Sequence, residues 1–71
     1  MNLTHLRYIS EVARTGSITK AAQNLYMGQP NLSKAIKDFE KSVGTAIFMR
    51  TSKGVVTTKR GEEIIKYARS I

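Results

Sequence analysis

No cysteine occurs among the 71 residues, so neither a disulfide nor a thiolate metal site staples this fold. Tryptophan is also absent and aromatic residues make up only 7% of the chain, which argues against a stacking platform for single-stranded nucleic acid. The single histidine, His5, has no metal-ligating partner at a useful spacing and is expected at the surface. With five scattered Asp and Glu side chains and no thiol, no nucleophile–base pair or metal cluster can be assembled. That argues against an enzyme and predicts no cofactor in this domain. No stretch is long or apolar enough for a signal peptide or a membrane span, so a cytoplasmic protein with no membrane partner is expected.

What remains is a small, strongly basic chain. Twelve Lys and Arg against five acids give a net charge of +7 and a pI near 10.2, a balance that favours polyanions. With stacking aromatics scarce, duplex DNA is the better candidate. Below about 80 residues a single core rarely supplies more than roughly 3–5 kcal/mol, so the chain forms one domain of modest stability.

The stretch Gln29 to Val43 organises the rest. At about 100° per residue, Leu32, Ile36, Phe39 and Val43 share one side of a helix, with Ala35 at its margin. Pro30, Ser33, Lys34, Lys37 and Lys41 lie almost opposite, and Asp38 and Glu40 fall on the flanks. A helix with one buried stripe and one basic, slender face suits a DNA major groove.

In chain order, Asn2 or Thr4 caps a first helix carrying Leu3, Leu6, Ile9, Val12 and Ala13, which stops near Thr15 before Gly16. Ser17 caps a second helix with Ile18, Ala21, Ala22 and Leu25 at i, i+3, i+4, i+7 spacing. Small Ala21 and Ala22 let another helix cross closely. Gly28 then caps the third helix, with Pro30 tolerated in its first turn and Gly44 ending it. This is a helix-turn-helix with a basic outer face. Two β-prone runs follow, Ile47-Phe48-Met49-Arg50 and Val55-Val56-Thr57, joined by Thr51-Ser52-Lys53-Gly54, with glycine where positive φ is needed. Thr58 caps a fourth helix with a stripe of Gly61, Ile64, Ala68 and Ile71, flanked by Ile65 and Tyr67. The apolar pattern still runs at Ile71, from which a longer native polypeptide is expected. Leu6, Ile9, Ala22, Leu25, Leu32, Ile36, Phe39 and Phe48 are the expected core.

These motifs resemble the N-terminal DNA-binding domain of LysR-type transcriptional regulators over essentially the whole chain. The resemblance rests on Leu6 to Val12, on Thr15-Gly16-Ser17-Ile18-Thr19-Lys20-Ala21-Ala22-Gln23-Asn24-Leu25, and on Gln29-Pro30-Asn31-Leu32-Ser33-Lys34-Ala35-Ile36-Lys37. Phe39-Glu40, Val43-Gly44, Phe48-Met49-Arg50 and Thr58-Lys59-Arg60-Gly61 continue it in register. The chain departs from the family pattern at Gly28, Lys34, Thr57 and Arg60, where Ser or Thr, Arg, Leu and Ala are usual. Lys34 keeps the charge of Arg but not its planar fork.

The resemblance implies a mainly α, winged helix-turn-helix fold: a three-helix core, a small two-stranded wing and the start of a fourth, linker and dimerisation helix. Residues 1–58 would form the DNA-binding domain and 59–71 the start of the linker helix. It also implies a homodimer on double-stranded DNA. A small-molecule effector would act only through a C-terminal domain that these residues do not contain.

Carried onto this sequence, Gln29 and Pro30 approach base edges, Ser33 and Lys34 contact bases or phosphate, and Lys37 and Asn31 reach phosphate. Ser17, Thr19 and Lys20 face phosphate at the start of the second helix, where helix N-termini favour anions. Arg50, Ser52 and Lys53 belong to the wing, and one of the two cations enters the minor groove or holds a phosphate, the sequence leaving the choice open. Arg50 can instead bond backbone carbonyls at the hairpin. Ile64, Tyr67, Ala68 and Ile71 are the dimer candidates, the alternative being that they pack on the first helix. A winged-helix adaptor for a protein partner is the competing function, although it would need an apolar patch where the third helix shows lysines.

Overall fold

The computed structural model describes residues 3–69. It contains α1 (Leu3–Thr15), α2 (Ile18–Asn24), α3 (Gln29–Val43), β1 (Phe48–Thr51), β2 (Gly54–Thr57) and α4 (Lys59–Arg69). Helix α1 begins at Leu3, so Thr4 lies within it rather than capping it, and Asn2 falls outside the described residues. Gly16, at φ +68, ends α1 and donates its N–H to Val12 O at 2.8 Å. Ser17 then caps α2, its Oγ accepting from Lys20 N at 3.1 Å.

Helix α2 stops at Asn24, one residue short of Leu25, because the chain turns there into a left-handed residue. Tyr26 N bonds Gln23 O at 3.2 Å and Met27 N bonds Ala22 O at 3.0 Å. This is a Schellman ending with Tyr26, at φ 56, in the place glycine usually takes. Met27 packs back against the cluster that contains Ala22, an apolar contact of the kind that accompanies this motif. Helix α3 starts after Gly28, which supplies no side-chain cap, and ends at Gly44 with φ 75, as its sequence predicts.

The wing is shifted by one residue from its expected bounds. Ladder partners are Phe48 with Thr57, Met49 with Val56, Arg50 with Val55 and Thr51 with Gly54, so only Ser52 and Lys53 form the turn. Ile47 drops out of the strand because its N–H is engaged elsewhere, although its carbonyl still bonds the residue opposite it in the ladder register. Its N–H donates to Glu40 Oε2 at 2.7 Å and its carbonyl accepts from Thr58 N at 2.8 Å.

Two apolar clusters fill the interior. Val12, Ala21, Ala22, Leu32, Ile36 and Val55 form one; Leu6, Ile9, Phe39, Ile47 and Ile65 form the other, and Phe48 packs against both. Leu25 and Phe48, expected in the core, are half-buried at its rim, whereas Ile47 and Val55 of the wing region are buried. His5 is not a plain surface residue. It is half-buried, with its ring edge-on to Phe39 at a centroid distance of 6.2 Å.

Helix α4 packs against α1 and β2. Its inward positions are Gly61 and Ile65, one turn apart, while Ile64 is half-buried beside them. A Cβ on Gly61 would collide with the Ile47 carbonyl oxygen and the Thr57 methyl. The missing side chain therefore lets α4 approach this loop, and that contact places Ile65 rather than Ile64 at the centre of the stripe. Thr58 caps the helix as expected, accepting from Gly61 N at 2.9 Å and donating from Oγ1 to Ala46 O at 2.7 Å.

Candidate nucleic-acid interface

Helix α3 is held from behind by Leu32, Ile36 and Phe39, each 5% exposed or less, and this fixes what its other side presents. Gln29, Pro30, Asn31, Lys34 and Lys37 are exposed there, and Ser33 is half-buried. Gln29 Nε2 donates to Ser33 Oγ at 3.2 Å, a bond that uses one N–H of the amide and leaves its second N–H and Oε1 for other partners. Lys34 Nζ lies 3.0 Å from Asp38 Oδ2.

Two further elements flank this face. The start of α2 brings exposed Thr19 and Lys20, while the Ser17 hydroxyl is already used as the cap. The wing brings Arg50, Ser52 and Lys53, all exposed. Ser33, Lys37, Glu40 and Arg50, with Ile18 and Phe48, line a notch of about 90 Å³ between α3, α2 and the wing. Arg50 thus belongs beside α3, whereas Ser52 and Lys53 sit at the hairpin tip. Among the described residues no side-chain hydrogen bond joins Arg50 to a hairpin carbonyl.

The wing's position is set by contacts that residue-by-residue reading does not find. Glu40 accepts from Ile47 N at 2.7 Å and from Phe48 N at 3.3 Å, both through Oε2, fastening the strand entry to α3. Val55 N donates to Gly16 O at 3.0 Å, fastening the other strand to the α1–α2 turn. A Cβ on Gly54 would collide with that same carbonyl oxygen. Glu40 is the side chain positioning the wing that the helical wheel assigns only to a flank; its signal is the Phe39-Glu40 pair. Behind α2, Glu11 takes hydrogen bonds from the Arg14 guanidinium and from Asn24 Nδ2, the latter at 2.8 Å. These two partners hold its carboxyl down at about 2.

Among the described residues the ion pairs are Arg14–Glu11, Lys34–Asp38 and Arg60–Glu63. Lys20 on α2, Lys37 on α3 and Arg50 and Lys53 on the wing have no carboxylate partner among them, nor do Arg7, Lys41, Lys59 and Lys66, and Lys37 and Arg50 meet at the notch. Such uncompensated cations beside a slender helix face fit a duplex backbone.

Of the dimer candidates, Ile64 packs into the cluster around Phe39 and Tyr67 is 64% exposed. The side chain of Ala68 and all of Ile71 lie outside the described residues. No helix among the described residues is long and apolar enough to cross a membrane.

A family model described as "Bacterial regulatory helix-turn-helix protein, lysR family" matches residues 3–62. The RuBisCO operon transcriptional regulator of Allochromatium vinosum is 38% identical over 71 residues, covering all of this chain and 24% of that protein. The HTH-type transcriptional regulator BudR of Klebsiella aerogenes is 47% identical over 62 residues, 87% of this chain and 43% of the relative. The chain therefore spans less than half the length of these relatives. Among solved structures, the BenM DNA-binding domain on benA site 1 DNA superposes with a TM-score of 0.92 at 40% identity, covering 99% of this chain and 79% of that one. The CbnR DNA-binding domain in complex with DNA gives 0.93 at 27% identity, covering 99% and 80%.

Proposed function

The chain belongs to the lysR family of bacterial regulatory helix-turn-helix proteins, and on that premise we propose that it reads double-stranded DNA sequence-specifically, with α3 in the major groove. The observation that carries this reading is the exposed Gln29, Pro30, Lys34 and Lys37 face, backed by a buried stripe and flanked at one notch by Arg50, which has no carboxylate partner among the described residues.

Labour divides by geometry. Gln29, aimed by Ser33, offers the donor and acceptor that match an adenine edge, and Pro30 lies against a thymine methyl. Lys34 addresses a neighbouring base. Lys37 and Arg50, at one notch, hold phosphate together with Ser17, Thr19, Lys20 and Asn31. Lys53, at the wing tip beside Ser52, is the cation that enters the minor groove, where a narrow groove concentrates negative potential. From Lys59 onward α4 serves as the linker and dimerisation helix of a homodimer, with Tyr67 on its outer side. A small-molecule effector acts through the additional length that the relatives have, and the regulator works in the cytoplasm beside the chromosome.

Selection of binding sites from a random duplex pool at near-physiological salt tests this. Enrichment of an inverted repeat with half-sites about one helical turn apart is expected. In Gln29→Ala, preference at one adenine per half-site should relax. A chain that retains no duplex above the background of the pool would sink the reading.

A further inference from the structure

On α3, one carboxylate sits among the groups that face outward, and it belongs to the Lys34 ammonium. Nζ and Oδ2 are 3.0 Å apart at i, i+4 spacing, with the side chains 78% and 52% exposed. Alone, a lysine is a compact charge on a flexible stem whose three N–H groups rotate freely. It binds a phosphate as readily as a base. Once Asp38 takes one N–H, two remain, and their directions are set by the tethered end. Guanine offers two major-groove acceptors, O6 and N7, to match them.

We propose that Asp38 is a specificity-determining positioning residue, which aims Lys34 as a two-donor reader of guanine and keeps it off the phosphates. The proposal rests on the DNA-binding reading above. Two physical effects support it. The pair carries no net charge, so it gains little from the backbone and its binding depends on the base edge. In the groove, where water is excluded, the Lys34–Asp38 attraction grows stronger than in the free chain, so the tether survives docking. The arrangement also restores directional donation at a position where a lysine stands in place of a planar guanidinium. Gln29 and Ser33 repeat the device one turn earlier, a reader held by an i+4 neighbour.

The test is site selection from a random duplex pool with wild type, Asp38→Asn, Asp38→Glu and Lys34→Met, and with Lys34→Met combined with Asp38→Asn. Circular dichroism verifies that each chain is folded. Wild type should select one guanine per half-site whose preference is lost in Lys34→Met. Asp38→Asn should lower that preference about fivefold or more. Its affinity for random duplex should rise, with the log–log salt dependence steeper by about 0.9 as the released ammonium joins the phosphates. Asp38→Glu, which keeps a carboxylate one turn away, should retain most of the preference. In the Lys34→Met background, Asp38→Asn should leave base preferences unchanged.

An undiminished guanine preference in Asp38→Asn overturns the proposal, as does an equal change in both backgrounds, which would make Asp38 a bare charge. An enriched operator with no Lys34-dependent guanine overturns it too, yet leaves the DNA-binding reading standing. A wild-type chain that enriches nothing fails both.

Discussion

On the inward side of α3, Leu32 and Phe39 are no more than 1% exposed and the Glu40 carboxylate is committed to two backbone N–H groups of the strand entry. On the outward side, among the described residues, the side chains of Gln29 and Lys34 hydrogen-bond to neighbours one turn along the same helix. The inward contacts join segments that are distant in sequence, so none can be exchanged without moving backbone. The outward ones join side chains one turn apart on the same helix, so they set where a side chain points without tying the backbone to another segment. A rigid back with a solvent-facing front is the arrangement a reading surface needs, because side chains can meet bases while their Cα positions stay fixed.

The largest test of this contrast is Glu40→Ala. Removing the carboxylate leaves the N–H groups of Ile47 and Phe48 without their acceptor, and hydrogen bonds to a charged group are the stronger kind. A stability loss of about 2–3 kcal/mol is expected, read from the urea midpoint at unchanged slope. A loss below about 0.5 kcal/mol would mean that water replaces Glu40, and the inward side would then be no more fixed than the outward one.

Between the extremes stands Tyr26, which is 97% exposed like the front of α3 yet backbone-strained like nothing else on it. The left-handed region costs a residue with a Cβ about 1–2 kcal/mol, and glycine forfeits about 0.5–1 kcal/mol through its freer unfolded chain. Tyr26→Gly should therefore stabilise the domain by up to about 1.5 kcal/mol, raising the melting temperature by about 4–8 °C for each kcal/mol gained. An unchanged or lower midpoint would show that the exposed ring earns its place by a contact within the fold.

Much of this architecture is legible because its signals are local. Ser17, Gly44 and Thr58 mark helix ends by hydroxyl capping and positive φ, and the 3.6-residue period from Gln29 to Val43 separates buried from exposed positions on α3. What the sequence does not disclose depends on pairs far apart along the chain. Ile47 leaves its strand because Glu40 takes its N–H, and Ile65 replaces Ile64 as the inward residue because Gly61 admits the Ile47 carbonyl. Composition places a turn at Tyr26-Met27-Gly28 without telling which residue adopts positive φ, and glycine is the wrong choice there. At the interface, the helical wheel finds the exposed set but assigns Asp38 to a flank. Its partnership with Lys34 follows from i, i+4 charge spacing, a second periodicity to be read beside the first.

The smallest expected effect on stability, and the sharpest separation of the two sides, comes from Lys37→Ala. Lys37 is exposed, lies at the notch with Arg50 and has no carboxylate partner among the described residues, so folding should change by no more than about 0.5 kcal/mol. On DNA the same change removes one phosphate contact. Binding to all duplexes should weaken alike, with the selected sequence unchanged, and the log–log salt slope should fall by about one unit. Measuring operator and random duplex affinities across salt, beside a urea titration of the free chain, checks both halves at once. An unaltered slope would remove Lys37 from the phosphate contacts. A relaxed base preference would instead make it a reader, and the division between positioning and reading along α3 would have to be redrawn one turn further from Gln29.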